Sequence, residues 1–259
     1  MPLRLDQMLV ERGLFASREK ARRAVMAGLV TVDGCRVDKP GTPIKGGVAL
    51  EVAARDPFVS RAGGKLAHAL DHFGIDPAGR ACLDVGASTG GFTDCLLQRG
   101  ARRVYALDVG YGQLDPRLRA DPRVVVMDRV NARRLQSDAL GEPCDLITVD
   151  VSFISLAKVV PALVPHLAAE GILLTLIKPQ FEAGREQVGK GGVVRDEEVR
   201  RRVIAQRAEA LVALGLRCLG TVDSAVPGAG GNREAFAAFR RRGEASPAAP
   251  GGAGARPDA

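Results

Sequence analysis

The sequence predicts an α/β protein: a Rossmann-like, doubly wound and mostly parallel sheet, preceded by a small α+β unit. Three observations carry that expectation. From about Val59 onward, short and almost wholly apolar segments alternate with stretches of helical length, as expected for strands covered on both faces. The first of these apolar segments runs straight into a glycine-rich turn and a helix start. Residues 1–58 break the rhythm with two helical segments and a hairpin.

In the first unit, Leu5, Met8, Leu9 and Val10 place apolar groups on one helical face, and Gly13 ends the run. Ser17 is positioned to cap a second helix, Arg18–Met26, which Gly28 terminates. Val30 to Val37 reads as a hairpin around Asp33-Gly34, a pair that tolerates the positive φ values of a type I′ turn. In the second unit the strand candidates are Ala81–Val85, Arg103–Asp108, Val124–Met127, Asp145–Val149, Ile172–Ile177 and a weaker Arg217–Ser224. Helices are expected over Leu66–Phe73, Thr93–Arg99, Leu156–Leu167 and Glu197–Leu214. The Ala/Gly/Pro-rich run 245–259 reads as a disordered tail, giving domain limits of 1–58, 59–244 and 245–259.

The chain has 259 residues, enough for a medium domain plus a small one, with 46% hydrophobic and 26% charged residues. Its net charge of +7 favours a polyanionic partner without naming it. The most apolar stretch, Val159–Ile177, is broken by Pro161, Pro165, His166 and Glu170, so no membrane span is expected. Asp6 falls where a secretory apolar core would begin, so the chain reads as cytoplasmic. The five cysteines form no C-x-x-C pair, and three lie in core-like segments, as reduced thiols do. His68 and His72 stand one helical turn apart without a third ligand, and no metal is expected.

Chemistry begins at Cys82-Leu83-Asp84-Val85-Gly86-Ala87-Ser88-Thr89-Gly90-Gly91-Phe92-Thr93, a strand, a glycine-rich turn and a helix start. Such a turn lets backbone approach an adenosine cofactor, with free helix amides facing it. Asp108, 22 residues past Gly86, ends the next strand and is placed to hold ribose hydroxyls. The turn has Ser88 where a dinucleotide fingerprint wants its second glycine. Asp84 would oppose a pyrophosphate but suit an amino group and a sulfonium. The loop therefore favours S-adenosyl-L-methionine, with a nicotinamide dinucleotide or a plain structural turn as alternatives. The expected cofactor residues are Asp84, Gly86, Ser88, Gly90, Phe92, Asp108 and Asp128, the last at the end of Val124–Met127. Arg129, Asn131, Ser152 and Phe153 are further candidates for the wall or the substrate.

Four polar residues should reach the same crevice edge. Lys65 is expected just before the first helix of the second unit, Asp150 and Lys178 close strands, and Glu234 follows Gly230-Gly231-Asn232-Arg233. Together they resemble the Lys-Asp-Lys-Glu tetrad of FtsJ-like ribose 2′-O-methyltransferases, class I S-adenosylmethionine-dependent enzymes. Longer stretches resemble the TlyA family, also known as hemolysin A. These are Val59-Ser60-Arg61-Ala62-Gly63-Gly64-Lys65-Leu66, Val149-Asp150-Val151-Ser152-Phe153-Ile154-Ser155, Ile177-Lys178-Pro179-Gln180-Phe181-Glu182 and Gly189-Lys190-Gly191-Gly192-Val193-Val194-Arg195-Asp196. Ala62 and the Ala-Phe-Ala-Ala after Glu234 depart from the pattern, without touching the tetrad. Chemically, a ribose hydroxyl needs a base, and a lysine can serve when burial or a second cation destabilises its ammonium. Lys178 is assigned that role, with Asp150 orienting it and Lys65 and Glu234 placing the hydroxyl.

The first unit carries its own resemblance. Arg4-Leu5-Asp6, Ser17-Arg18-x-x-Ala21 and the Gly28–Gly34 stretch, in this element order, are similar to the S4 RNA-binding domain. The resemblance implies contact with folded RNA backbone through Arg4, Arg18, Lys20, Arg22, Arg23, Arg36 and Lys39. The expected partner is ribosomal RNA or a ribosomal subunit, with no membrane and no obligate protein partner. The family implies cytidine 2′-O-methylation on large-subunit RNA and, in some members, small-subunit RNA; the short segment before Arg4 points to the narrower range. Competing readings are a non-catalytic assembly factor, a membrane-active hemolysin and an S4-linked pseudouridine synthase. The last would need no such cofactor loop.

Overall fold

The computed structural model describes residues 2–26, 28–52 and 57–242, so the run 245–259 lies outside the described residues. The chain divides into two compact units, the second beginning at Pro57.

In the first unit, β1 (Leu3–Arg4) pairs antiparallel with β4 (Pro43–Ile44). The two helices arise as expected, α1 over Leu5–Glu11 and α2 over Arg18–Met26. The hairpin joins β2 (Val30–Val32) to β3 (Cys35–Arg36), with Asp33 at φ 49° and Gly34 at φ 76°. β5 (Leu50–Val52) adds to β2 on its other side. Leu5, Leu9, Ala21, Val25 and Val30 are fully buried and form the core that locks helices to strands.

The second unit opens with α3 (Arg61–Phe73), then β6 (Ala81–Val85), α4 (Gly91–Gln98) and β7 (Arg103–Asp108). α5 (Pro116–Arg119), β8 (Val124–Asp128), β9 (Cys144–Val149) and α6 (Leu156–Leu163) follow. The chain continues through β10 (Leu167–Ile177), α7 (Pro179–Glu182), α8 (Glu197–Val212), β11 (Leu216–Asp223) and β12 (Ala235–Arg241). The seven strands lie in the order β11-β12-β10-β9-β6-β7-β8. β12 runs antiparallel to both neighbours, and the other pairings are parallel. Alternate strand residues feed two cores: Leu83, Ile147 and Leu173 join one cluster, Cys82, Leu146 and Leu174 the other. Both sheet faces are therefore covered.

Four local expectations are corrected. Residues 235–241, read only as a departure after Glu234, form a buried strand between β10 and β11. The helix expected to reach Leu167 stops at Leu163, passes through a tight turn at Val164–His166, and gives way to a strand longer than foreseen. α3 begins at Arg61, so Lys65 lies inside a helix and not before one. α4 begins at Gly91, so Thr93 does not open it.

Candidate active site

The site grows from the turn between β6 and α4. Gly86 has φ +87°, and a Cβ there would stand 2.3 Å from the Asp150 carbonyl oxygen. Only glycine permits the ends of β6 and β9 to approach so closely. Ser88, also left-handed at φ 48°, donates its backbone N–H to Asp108 Oδ2 at 2.8 Å. The Gly110 N–H reaches Asp108 Oδ1 at 2.7 Å, so two amides fix this carboxylate at the end of β7.

Beside the turn lies a cavity of about 390 Å³ with apolar walls from Leu107, Val109, Val151 and Ile154, and with Asp108 and Asn131 among its polar groups. A second cavity, about 210 Å³, shares Gly86, Ser88, Asp150 and Ser152 with it and adds Phe92 and Lys178. The two form one recess at the carboxyl ends of β6, β7, β9 and β10, where open α/β sheets bind ligands.

Of the residues assigned to the cofactor, Gly86, Ser88, Phe92 and Asp108 line this recess. Gly90 does not; it caps α4 at φ 97°, and Leu118 and Leu114 fill the space a side chain would need. Asp128 lines neither cavity, accepting instead from Arg119 at 2.8 Å and the Gly112 N–H at 3.3 Å. Hydrogen bonding to Arg119 holds its carboxyl below the ordinary range. Asp84 sits apart from the recess. It is fully buried beneath the turn, accepting from Thr93 Oγ1 at 2.7 Å and Thr148 Oγ1 at 3.4 Å, and it lines neither cavity. Burial pushes its carboxyl up to about 7, against the opposing hydrogen bond from Thr93.

The tetrad assembles as two ion pairs. Lys178 Nζ lies 2.5 Å from Asp150 Oδ1 and donates to Ser152 Oγ at 3.0 Å. Lys65 Nζ donates to Glu234 Oε2 at 2.6 Å, joining groups 169 residues apart in sequence. The first pair lines the smaller cavity; the second is buried and lines neither. Gln180 links them, since it follows Lys178 by two residues and its Nε2 donates to Glu234 Oε1 at 3.2 Å. Sequence reasoning singled out neither Gln180 nor the cavity residues Val109 and Gln113, though Gln180 stood inside the motif that carries Lys178. Phe153, at φ 62° and 89% exposed, lines the larger cavity and packs against Phe181 with ring centroids 4.8 Å apart and planes tilted by 46°.

In the first unit, Arg4 and Arg18 are partly committed to the buried Asp6, at 3.0 and 3.2 Å. Arg23 pairs with Glu19, and the Arg36 guanidinium covers the space beside Gly28. Lys20, Arg22 and Lys39 are exposed and have no ion-pair partner among the described residues.

A glycine-turn recess at the carboxyl edge of a sheet with an antiparallel β12 defines a methyltransferase of the Rossmann class. The FtsJ-like methyltransferase family model matches residues 58–241, and the S4 domain model residues 3–50. The chain belongs to the TlyA family, which joins these two modules. It is 49% identical over 235 residues to the 16S/23S rRNA (cytidine-2′-O)-methyltransferase TlyA of Mycobacterium tuberculosis, covering 90% of this chain and 88% of that one. It is 42% identical to hemolysin A of Brachyspira hyodysenteriae, over 92% of this chain and 99% of that protein. A solved structure from Streptococcus thermophilus that bears a hemolysin name superposes with a TM-score of 0.73 at 42% identity, covering 93% of this chain and 89% of that one. Among the described residues no helix is long and apolar enough to cross a membrane.

Proposed function

We propose that this chain transfers a methyl group from S-adenosylmethionine to the ribose 2′-oxygen of a cytidine in ribosomal RNA, acting in the cytoplasm with its S4 unit gripping the RNA backbone. The observation that carries the reading is Lys178, which lines the smaller cavity and is held there by Asp150 and Ser152 beside the Gly86–Ser88 turn. The M. tuberculosis relative is named for this reaction.

The recess suits the cofactor chemically: Asp108 is fixed to accept from ribose hydroxyls, and the apolar wall of Leu107, Val109, Val151 and Ile154 suits an adenine ring. S-adenosylmethionine, when bound, supplies a methyl group activated by its sulfonium. Lys178 takes the 2′-hydroxyl proton at Nζ once its own ammonium proton has left the ion pair with Asp150, because only the neutral amine has a free electron pair. Asp150 and Ser152 hold that nitrogen in place along the smaller cavity, where alignment supplies much of the acceleration. The buried Lys65–Glu234 pair lines neither cavity and acts on the hydroxyl's surroundings from behind, tied through Gln180 to the segment that carries Lys178. Lys20, Arg22 and Lys39 offer phosphate-binding charge from the first unit.

Lys178→Ala should abolish transfer of labelled methyl groups to ribosomal RNA while cofactor affinity stays within about threefold, since one side chain of the recess is lost and the turn is untouched. Full activity in that variant would remove the base assignment. Mapping 2′-O-methyl marks on ribosomal RNA from cells with and without the gene identifies nucleotide and subunit; no difference between them would refute the substrate.

A further inference from the structure

We infer that Gln180 is a positioning residue of this site, setting the Glu234 carboxylate and, through it, the Lys65 ammonium. The inference rests on the methyl-transfer reading above, in which that ion pair backs the segment carrying Lys178.

Glu234 is held on several sides. Its Oε2 accepts from Lys65 at 2.6 Å, and its Oε1 accepts from Gln180 Nε2 at 3.2 Å. The carboxylate also lies against the bare Cα of Gly228, where a Cβ would fall 2.1 Å from Oε1. Its backbone is tied as well, by Ser224 N–H to the Glu234 carbonyl at 2.9 Å and by Arg200 Nε to the Arg233 carbonyl at 3.0 Å. Glu234 is 2% exposed, so water is a poor substitute for any of these partners.

The orientation of the Gln180 amide follows from its partner. An ionised carboxylate only accepts, so the NH2 group must face Glu234. Gln180 lies on the short α7, one residue beyond Pro179, whose ring restricts φ where the chain leaves Lys178. The side chain thus carries the position of one ion pair to the other across a two-residue backbone link. Without its donor, Oε1 becomes a buried acceptor lacking a partner. The carboxylate then gains by rotating to present both oxygens to Lys65, which moves the ammonium. A displacement of about 1 Å at such a site can slow turnover by about a hundredfold.

The test combines Gln180→Leu, Glu234→Ala and the double variant, each measured as the full chain by single-turnover methyl transfer, cofactor affinity and melting temperature. Gln180→Leu is expected to slow transfer by roughly tenfold to a hundredfold with cofactor affinity little changed and a melting temperature lowered by a few degrees, as the stranded buried oxygen of Glu234 requires. In the Glu234→Ala background the same substitution should have under about a twofold further effect, because its target is gone. Gln180→Glu supplies a second readout: it keeps the shape but sets two carboxylates face to face. Its rate relative to the wild-type chain should recover as pH falls and the added carboxyl is protonated. Losses that multiply in the double variant, or a Gln180→Glu rate ratio independent of pH, would overturn the inference. Lys178→Ala separates the two claims. If that variant stays active the methyl-transfer roles fail; if it is inactive while the Gln180 and Glu234 effects multiply, only the positioning role falls.

Discussion

Replacing Asp84 by asparagine should flatten one limb of the stability–pH curve. Asp84 is fully buried under the Gly86–Gly91 turn, with two threonine hydroxyls as side-chain partners. Desolvation raises its carboxyl from 3.8 to about 7 in the folded chain, and the nearby Asp150 charge adds to the rise. A raised folded pKa means that the folded chain binds the proton more tightly than the unfolded chain. Stability from this group is therefore complete below pH 3.8, falls as pH rises, and is fully lost above about 7. Across that window the slope approaches 1.4 kcal/mol per pH unit, and the whole span amounts to roughly 4 kcal/mol at most. Asparagine resembles the protonated acid in shape and cannot ionise, so it keeps the threonine contacts without the titration. Urea unfolding of both chains between pH 5 and 8 reads the difference. Between pH 5 and 8 the variant should gain on the wild-type chain by about 2.7 kcal/mol, the share of the span that lies above pH 5. Two parallel curves would refute the reasoning, because they would place water or an uncharted cation against Asp84.

Gly86→Ala should lose both cofactor affinity and stability. Its φ of +87° is strained for alanine, and the added Cβ would meet the Asp150 carbonyl at 2.3 Å; the expected loss is about 2–4 kcal/mol in thermal or chemical unfolding. Asp108→Ala strands the Ser88 and Gly110 amides, so calorimetry should record cofactor binding weakened by more than about tenfold. Lys20→Ala with Arg22→Ala should weaken RNA binding and leave cofactor binding alone. The slope of log affinity against log salt should shrink by about 0.7–0.9 for each phosphate that is no longer neutralised; an unchanged slope would remove those side chains from the RNA interface.

What the sequence determined by itself is mostly local. The apolar run Ala81–Val85, the glycine turn after it and the acid ending Arg103–Asp108 all appear in the fold at the positions their residues imply. Their signals lie within a few residues of the structure they specify, in side-chain size, period and backbone freedom. The N-terminal helices and hairpin were legible for the same reason. The tetrad was recognisable from motifs, but its division into two ion pairs was not.

Tertiary structure decided the rest. Ala-Phe-Ala-Ala-Phe after Glu234 is apolar enough for a buried strand, yet only the pairing of Ala235–Ile177 and Ala235–Asp223 makes it one and places Glu234 beside Lys65. Asp84 carries the same side chain wherever it stands. Its burial with Thr93 and Thr148 is what sets it outside the recess and raises its carboxyl. Such outcomes depend on which distant segments close around a group, because desolvation and pairing act through space and not along the chain.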